Sequence, residues 1–113
     1  MRETKKMTAI IVEDNYLVAE SLTEYLSSID VSVTHFETYD VAKPIENTDI
    51  YLLDYNAGRI SGHTWLRAHP EVMESKVVLM SGTNDWDRHS YRLPILTKPF
   101  RFKDLENILR GRQ

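Results

Sequence analysis

Short apolar runs alternate with longer amphipathic ones along the chain. Residues 8–12 form an apolar, β-branched run stopped by Glu13 and Asp14, the pattern of a strand buried on both faces. Asn15 is placed to cap a following helix whose apolar stripe is Val18, Leu22, Tyr25/Leu26 and Ile29, with Glu20, Ser21 and Glu24 off the stripe. Val31–Phe36 alternates and predicts a second strand, and residues 40–45 leave room for one or two helical turns, constrained by Pro44. Residues 50–53 read as another buried strand, ending at Asp54. Residues 55–62 form a loop with two glycines, and Ser61 or Gly62 opens a short helix through Trp65 and Leu66 that stops before Pro70. Residues 76–80 predict a strand ending in Ser81 and Gly82. After a polar, weakly patterned stretch over 82–93, residues 94–96 form a short apolar segment before Thr97, Lys98 and Pro99. Phe102, Leu105 and Ile108/Leu109 mark a final amphipathic helix. Strands alternating with helices predict βαβ units, hence a parallel sheet covered on both faces.

Composition narrows the functional classes. A chain of 113 residues with 42% hydrophobic and 27% charged residues is an ordinary globular domain, and by length a single one. Fourteen basic against seventeen acidic residues give a net charge of −3, which argues against a nucleic-acid or anionic-membrane partner. The absence of cysteine excludes disulfides, thiol catalysis, iron–sulfur clusters and cysteine zinc sites. The longest purely apolar runs, at 9–12 and 77–80, fall far short of the roughly 20 residues of a membrane-spanning helix. The basic head is followed by an apolar part too short for a signal peptide. The expectation is a soluble, cytoplasmic, unprocessed protein.

The candidate chemistry sits where the predicted strands stop: Glu13 and Asp14, Asp54, Ser81 and Lys98. In an open parallel α/β sheet the carboxyl ends of the strands share one edge, and ligands bind there near the point where strand order reverses. The right-handed crossover rule leaves few arrangements. Three carboxylates and one ammonium leave negative charge in excess, which a divalent cation would cancel. The donors are hard oxygens with no His or Cys beside them, which selects Mg²⁺ (or Mn²⁺) over Zn²⁺. Asp54, alone at the end of its strand, is a candidate nucleophile for a phosphoryl group, with the cation and Lys98 neutralising charge and Ser81 donating to an oxygen.

Each residue also has a plain reading. Glu13 and Asp14 suit a helix N-terminus, Asp54 a loop, Ser81 and Gly82 a turn, and Lys98 the surface. Four such coincidences at four successive strand ends weigh against the plain reading as a set. His35, His63, His69 and His89 share no i, i+4 spacing and make no metal site. Trp65 reads as core or rim. Trp86 is evenly balanced between core insertion and a partner contact. Arg110 and Arg112 suit a helix C-terminus.

IIVEDN at 10–15, YLLDYNAGRISG at 51–62, VVLMSGT at 77–83 and LTKPF at 96–100 together resemble a response-regulator receiver domain of two-component signalling. The resemblance spans nearly the whole chain. It implies a flavodoxin-like α/β fold, a doubly wound five-stranded parallel sheet with helices on both faces. It implies Mg²⁺ bound by Glu13, Asp14, Asp54 and the carbonyl of Asn56, with Asp54 as phosphoacceptor. Ser81 matches the switch hydroxyl, with Gly82 beside it, and Lys98 the phosphate-binding lysine ahead of Pro99, often in a cis peptide. The implied donor is a phosphohistidine on a sensor histidine kinase or histidine phosphotransfer protein.

Three departures stand out. The interval from Ser81 to Lys98 is short for the family, so the fourth helix is expected to be shortened or lost. The interval from Asp14 to Asp54 is short too, so the second helix is expected to be reduced likewise. Ile95 stands where the family often has an aromatic coupled to the hydroxyl, and Tyr91 and Trp86 are candidate substitutes.

The expected protein is a stand-alone receiver, 1–113, that acts through an output protein, phosphate relay or a phosphate sink. It takes its phosphoryl group in a self-catalysed step, loses it slowly and is no turnover enzyme. A homodimer would use surfaces the sequence does not specify, with the first and last helices as candidates. The alternative is a non-switching interaction module with the receiver fold. A Mg²⁺-dependent phosphohydrolase is a third reading, opposed by Asn56, which cannot serve as acid or base two positions after the nucleophile.

Overall fold

The computed structural model describes residues 6–82, 86 and 92–111. Five strands form one parallel sheet: β1 (Met7–Val12), β2 (Val31–Phe36), β3 (Ile50–Asp54), β4 (Val77–Ser81) and β5 (Ile95–Thr97). Their order is β2-β1-β3-β4-β5, with Met7 beside Val31, Ala9 beside Ile50, Tyr51 beside Val77 and Leu79 beside Ile95. The chain steps outward from β1 to β2 and then crosses back to β3, so strand order reverses between β1 and β3. Among the described residues three α-helices accompany the sheet: α1 (Tyr16–Ser28), α2 (Gly62–Ala68) and α3 (Phe102–Arg110).

β3 and β4 are buried at every position, which explains their unbroken apolar reading, whereas β2 lies at the sheet edge and alternates. The alternate faces of the strands feed two cores. Ile10, Val12, Leu53 and Leu79 pack with Tyr39, Trp65 of α2 and Trp86. Ile11, Leu52, Val78 and Met80 pack with Leu22 and Leu26 of α1 and Leu105 of α3. Helices therefore cover both faces, as the sequence pattern predicts.

Helix α1 starts where expected: the Asn15 side chain accepts from the Leu17 and Val18 amides at 3.1 and 3.2 Å. Its buried face is Ala19, Leu22 and Leu26, rotated slightly from the expected stripe, and Ile29 stays exposed beyond the helix end. Ser61 caps α2 by accepting from the Thr64 amide at 3.1 Å.

The helical turns expected over 40–45 do not form, and no helix stands between β2 and β3. The hydrogen-bonding groups there are engaged elsewhere. The Tyr39 amide donates to the Ala57 carbonyl at 2.9 Å, and the Ala42 carbonyl accepts from Trp65 Nε1 at 3.2 Å. Pro44 supplies no N–H and holds Lys43 out of the helical region. The second helix is thus lost rather than shortened. The expected shortening of the fourth helix falls on residues 83–85 and 87–91, and the Tyr91 substitution falls there too, outside the described residues. Trp86 is described and wholly buried, with Nε1 donating to the Met80 carbonyl at 2.9 Å and its ring edge-on to Tyr55, which settles it as core. Trp65 is core as well. No helix of the described residues is long and apolar enough to cross a membrane.

Truncating a fully buried α1 residue should be costly and truncating an exposed one should not. Leu26→Ala is expected to lose about 2–5 kcal/mol, and Leu17→Ala, on the solvent side, less than about 0.5 kcal/mol. Urea unfolding of both variants checks the contrast.

Candidate functional site

The strand ends on either side of the reversal bring the predicted residues together. β1 runs one residue past its end: the Glu13 amide still donates to the Phe36 carbonyl at 3.1 Å, which carries the Glu13 side chain into the interior. That side chain is fully buried. Its Oε2 accepts from the Asn15 amide at 3.0 Å, and its Oε1 lies 2.6 Å from Lys98 Nζ as an ion pair without a directed hydrogen bond. Asp54 closes β3 and is 6% exposed, with Oδ1 3.4 Å from the same Nζ. Asp14, on the solvent side, completes a trio: one carboxylate oxygen each from Glu13, Asp14 and Asp54 lie within 4.8 Å of one another.

The remaining predicted residues lie on the same edge. Ser81 closes β4 and is buried, and its carbonyl accepts from the Lys98 amide at 2.7 Å, extending the β4–β5 ladder by one step and fixing where the lysine leaves the sheet. The Lys98–Pro99 peptide is cis. Asn56, two residues beyond Asp54, forms an isolated antiparallel bridge with Ser61 that folds the β3–α2 loop back on itself. Gly82 is exposed, and among the described residues a side chain there would meet nothing within 4 Å. Ile95 lies in β5, half-buried against the core layer that holds Trp86.

Two side chains at the site escape the sequence reading. Tyr39, 2% exposed, donates its hydroxyl to the Asp54 main-chain carbonyl. His35 Nε2 meets the Glu13 carbonyl at 2.7 Å. Tyr39 follows a strand and precedes a segment without periodicity, so no pattern marks it. His35 lies on an edge strand whose alternation signals only a face. The cap reading of the acid pair is replaced: Asn15 caps α1, and Glu13 holds the Asn15 amide one step ahead of the helix.

Crowding sets the electrostatics. Burial first, and then the neighbouring Glu13 carboxylate, push the Asp54 carboxyl up to about 7 against the partial relief of Lys98. Partial burial and Glu13 raise Asp14 as well. Burial acts to lower the Lys98 ammonium, but its contacts with Glu13 and Asp54 outweigh it and leave the group raised and charged. Burial, with Asp54 and Glu13 nearby, holds the Tyr39 phenol well above its ordinary value, so it remains a donor.

These groups fit a hard divalent cation. Three carboxylates converge with one ammonium between two of them, the oxygen donors are of the kind Mg²⁺ takes, and a buried carboxylate oxygen lacks a directed hydrogen bond.

No protein-family model and no curated protein sequence matches the chain. Solved structures do match it. The non-phosphorylated receiver domain of HemR from Leptospira biflexa aligns over 95% of this chain and 94% of its own, at 19% identity and a TM-score of 0.76. The response regulator TrrA of Thermotoga maritima, solved in complex with Mg²⁺-BeF, aligns over 95% and 99% at 19% identity and 0.77. A CheY-like receiver domain from Methylobacillus flagellatus aligns over 96% and 100% at 22% identity and 0.78. The likeness carries the fold: this chain has the five-stranded parallel architecture of response-regulator receiver domains.

Folding raises the Asp54 pKa from the ordinary carboxylate value to about 7, so between about pH 4 and pH 7 the native state holds a proton that the unfolded chain has released. The group's contribution to stability therefore falls as pH rises through that window and levels off above it, and Asp14 acts in the same direction. A divalent cation should stabilise the protein more at pH 8 than at pH 5. With Mg²⁺ at about a hundred times its Kd at pH 8 the gain is expected to be about 2.7 kcal/mol, and Asp54→Asn should lose most of it. Thermal unfolding with and without Mg²⁺ at the two pH values is the check, and equal gains at both would refute the assignment.

Proposed function

We propose that this protein is the phosphoacceptor of a two-component phosphorelay, with Asp54 taking a phosphoryl group from a phosphohistidine. The observation that carries the reading is the convergence of Glu13, Asp14 and Asp54 with the Lys98 ammonium, at the point of the sheet where strand order reverses. The fold likeness to receiver domains, one of them solved with Mg²⁺-BeF, supports it.

A carboxylate oxygen of Asp54 attacks phosphorus as the P–N bond to the donor imidazole breaks. The bonding pair leaves with the imidazole nitrogen, and the product is an acyl phosphate on Asp54. Asp14, Asp54 and the Asn56 carbonyl would hold Mg²⁺, with Glu13 acting through water, and the ion would supply charge neutralisation at the phosphoryl oxygens. Lys98 holds one of these oxygens as a point charge, and the Ser81 hydroxyl donates to another. Attack needs Asp54 ionised, and the Lys98 ammonium favours that form. The acyl phosphate is lost slowly by hydrolysis, without a separate phosphatase. The phosphoryl donors are a sensor histidine kinase or a histidine phosphotransfer protein in the cytoplasm. The signal leaves by contact with an output protein, by relay or by draining the donor.

A second reading, a receiver-fold scaffold that does not switch, draws on two features. Ile95 offers no aromatic to the hydroxyl, and Trp86 is wholly buried and tied by Nε1 to the Met80 carbonyl.

Incubation with acetyl phosphate and Mg²⁺ should add one phosphoryl group, read by intact mass. EDTA or Asp54→Asn should abolish the gain. Failure to gain the group, together with failure to bind beryllofluoride, would discard the phosphoacceptor reading in favour of the scaffold.

A further inference from the structure

The segment from 38 to 42, where the second helix is missing, lies along the β3–α2 loop and α2 and is fastened to them repeatedly. The Tyr39 amide donates to the Ala57 carbonyl at 2.9 Å, the Arg59 amide to the Asp40 carboxylate at 3.4 Å, and Trp65 Nε1 to the Ala42 carbonyl at 3.2 Å. Gly58, with φ of 95°, lies so close to Thr38 that a Cβ there would come within 2.7 Å of the Thr38 Cβ. At the centre of this strap the Tyr39 hydroxyl donates to the main-chain carbonyl of Asp54. Gly62 makes room for the contact: a Cβ there would fall 2.7 Å from the Tyr39 hydroxyl and 2.8 Å from the Asp54 carbonyl oxygen.

The carbonyl of Asp54 shares a Cα with its carboxylate, so a donor that fixes the peptide also fixes where the side chain leaves the backbone. On the sheet side the next amide, Tyr55, donates to the Met80 carbonyl at 3.0 Å. Tyr39 supplies the hold on the opposite side. It is 2% exposed, so solvent does not compete for the bond. In-line transfer depends steeply on placement: a misplacement of about 1 Å can cost on the order of a hundredfold in rate.

We infer that Tyr39 is a positioning residue for the phosphoacceptor, a strut that sets the end of β3. The inference rests on the reading of Asp54 as phosphoacceptor. Tyr39→Phe keeps the ring and removes the hydroxyl alone. With acetyl phosphate as donor at saturating Mg²⁺, the limiting rate of phosphorylation is expected to fall about tenfold, while the half-saturating donor concentration moves less than about twofold, because the buried hydroxyl bonds the Asp54 main chain. Val31→Ala, at the far end of β2, is the control for general destabilisation and should leave the limiting rate at the wild-type value.

A folded Tyr39→Phe protein with the wild-type limiting rate overturns the strut, and so does an equal fall in Val31→Ala. If Tyr39→Phe does not fold, Gly58→Ala carries the test, since its methyl group wedges the strap from the loop. Slowing there supports the inference, and an unchanged rate overturns it. Wild-type protein that takes neither phosphoryl group nor beryllofluoride overturns the underlying phosphoacceptor reading, a result distinct from all of these.

Discussion

One ammonium serves two carboxylates. Lys98, just beyond β5, reaches across to Glu13 beyond β1 and to Asp54 at the end of β3, and both carboxylates are out of solvent. Two carboxylates buried so close repel, and without a cationic partner one of them would be held in its protonated form. Much of the architecture serves to bring that partner in. The Lys98 amide extends the β4–β5 ladder onto the Ser81 carbonyl, and the Glu13 amide extends the β1–β2 ladder onto the Phe36 carbonyl. Both side chains thus leave the sheet from ladder positions rather than from free loops. A ligand site held on strand ends is placed more tightly than one held on loops alone.

The neutralisation is incomplete by design of the charge count. Burial first, and then the neighbouring Glu13 carboxylate, leave Asp54 with a pKa of about 7 despite Lys98, and Asp14 is shifted the same way. A site that carries this tension is ready for a hard cation, and its acid strength then changes with what is bound. Stability and ligand binding draw on the same electrostatic term.

Much of this was legible in the sequence because its cause is local. Buried parallel strands are apolar on both faces, so residues 8–12, 50–53 and 76–80 stand out, and the polar residues that stop them are the site. Asn15 and Ser61 declare their helices through short-range capping. Residues 40–45 were misread because local spacing tolerates a turn of helix there. The bonds that forbid it run to Ala57 and Trp65, far away in sequence. Tyr39 was missed for the same reason: its partner, the Asp54 carbonyl, is a main-chain atom with no residue signature. Trp86, evenly balanced from the pattern, is decided by burial against Tyr55 and the Met80 carbonyl, which only the packed core provides.

The strand order also dictates when the site comes into being. β3 is the central strand, and β1 pairs with it and with β2, all from the first half of the chain, while the lysine arrives with β5 at the sheet's far edge. A chain ending before Lys98 would bring Glu13 and Asp54 together with no cationic side chain between them, and Asp54 would be driven further toward its protonated form. Docking of the last strand is therefore more than closure of an edge. It favours the ionised form of the carboxylate at the end of the central strand, and it ties completion of the fold to completion of the site.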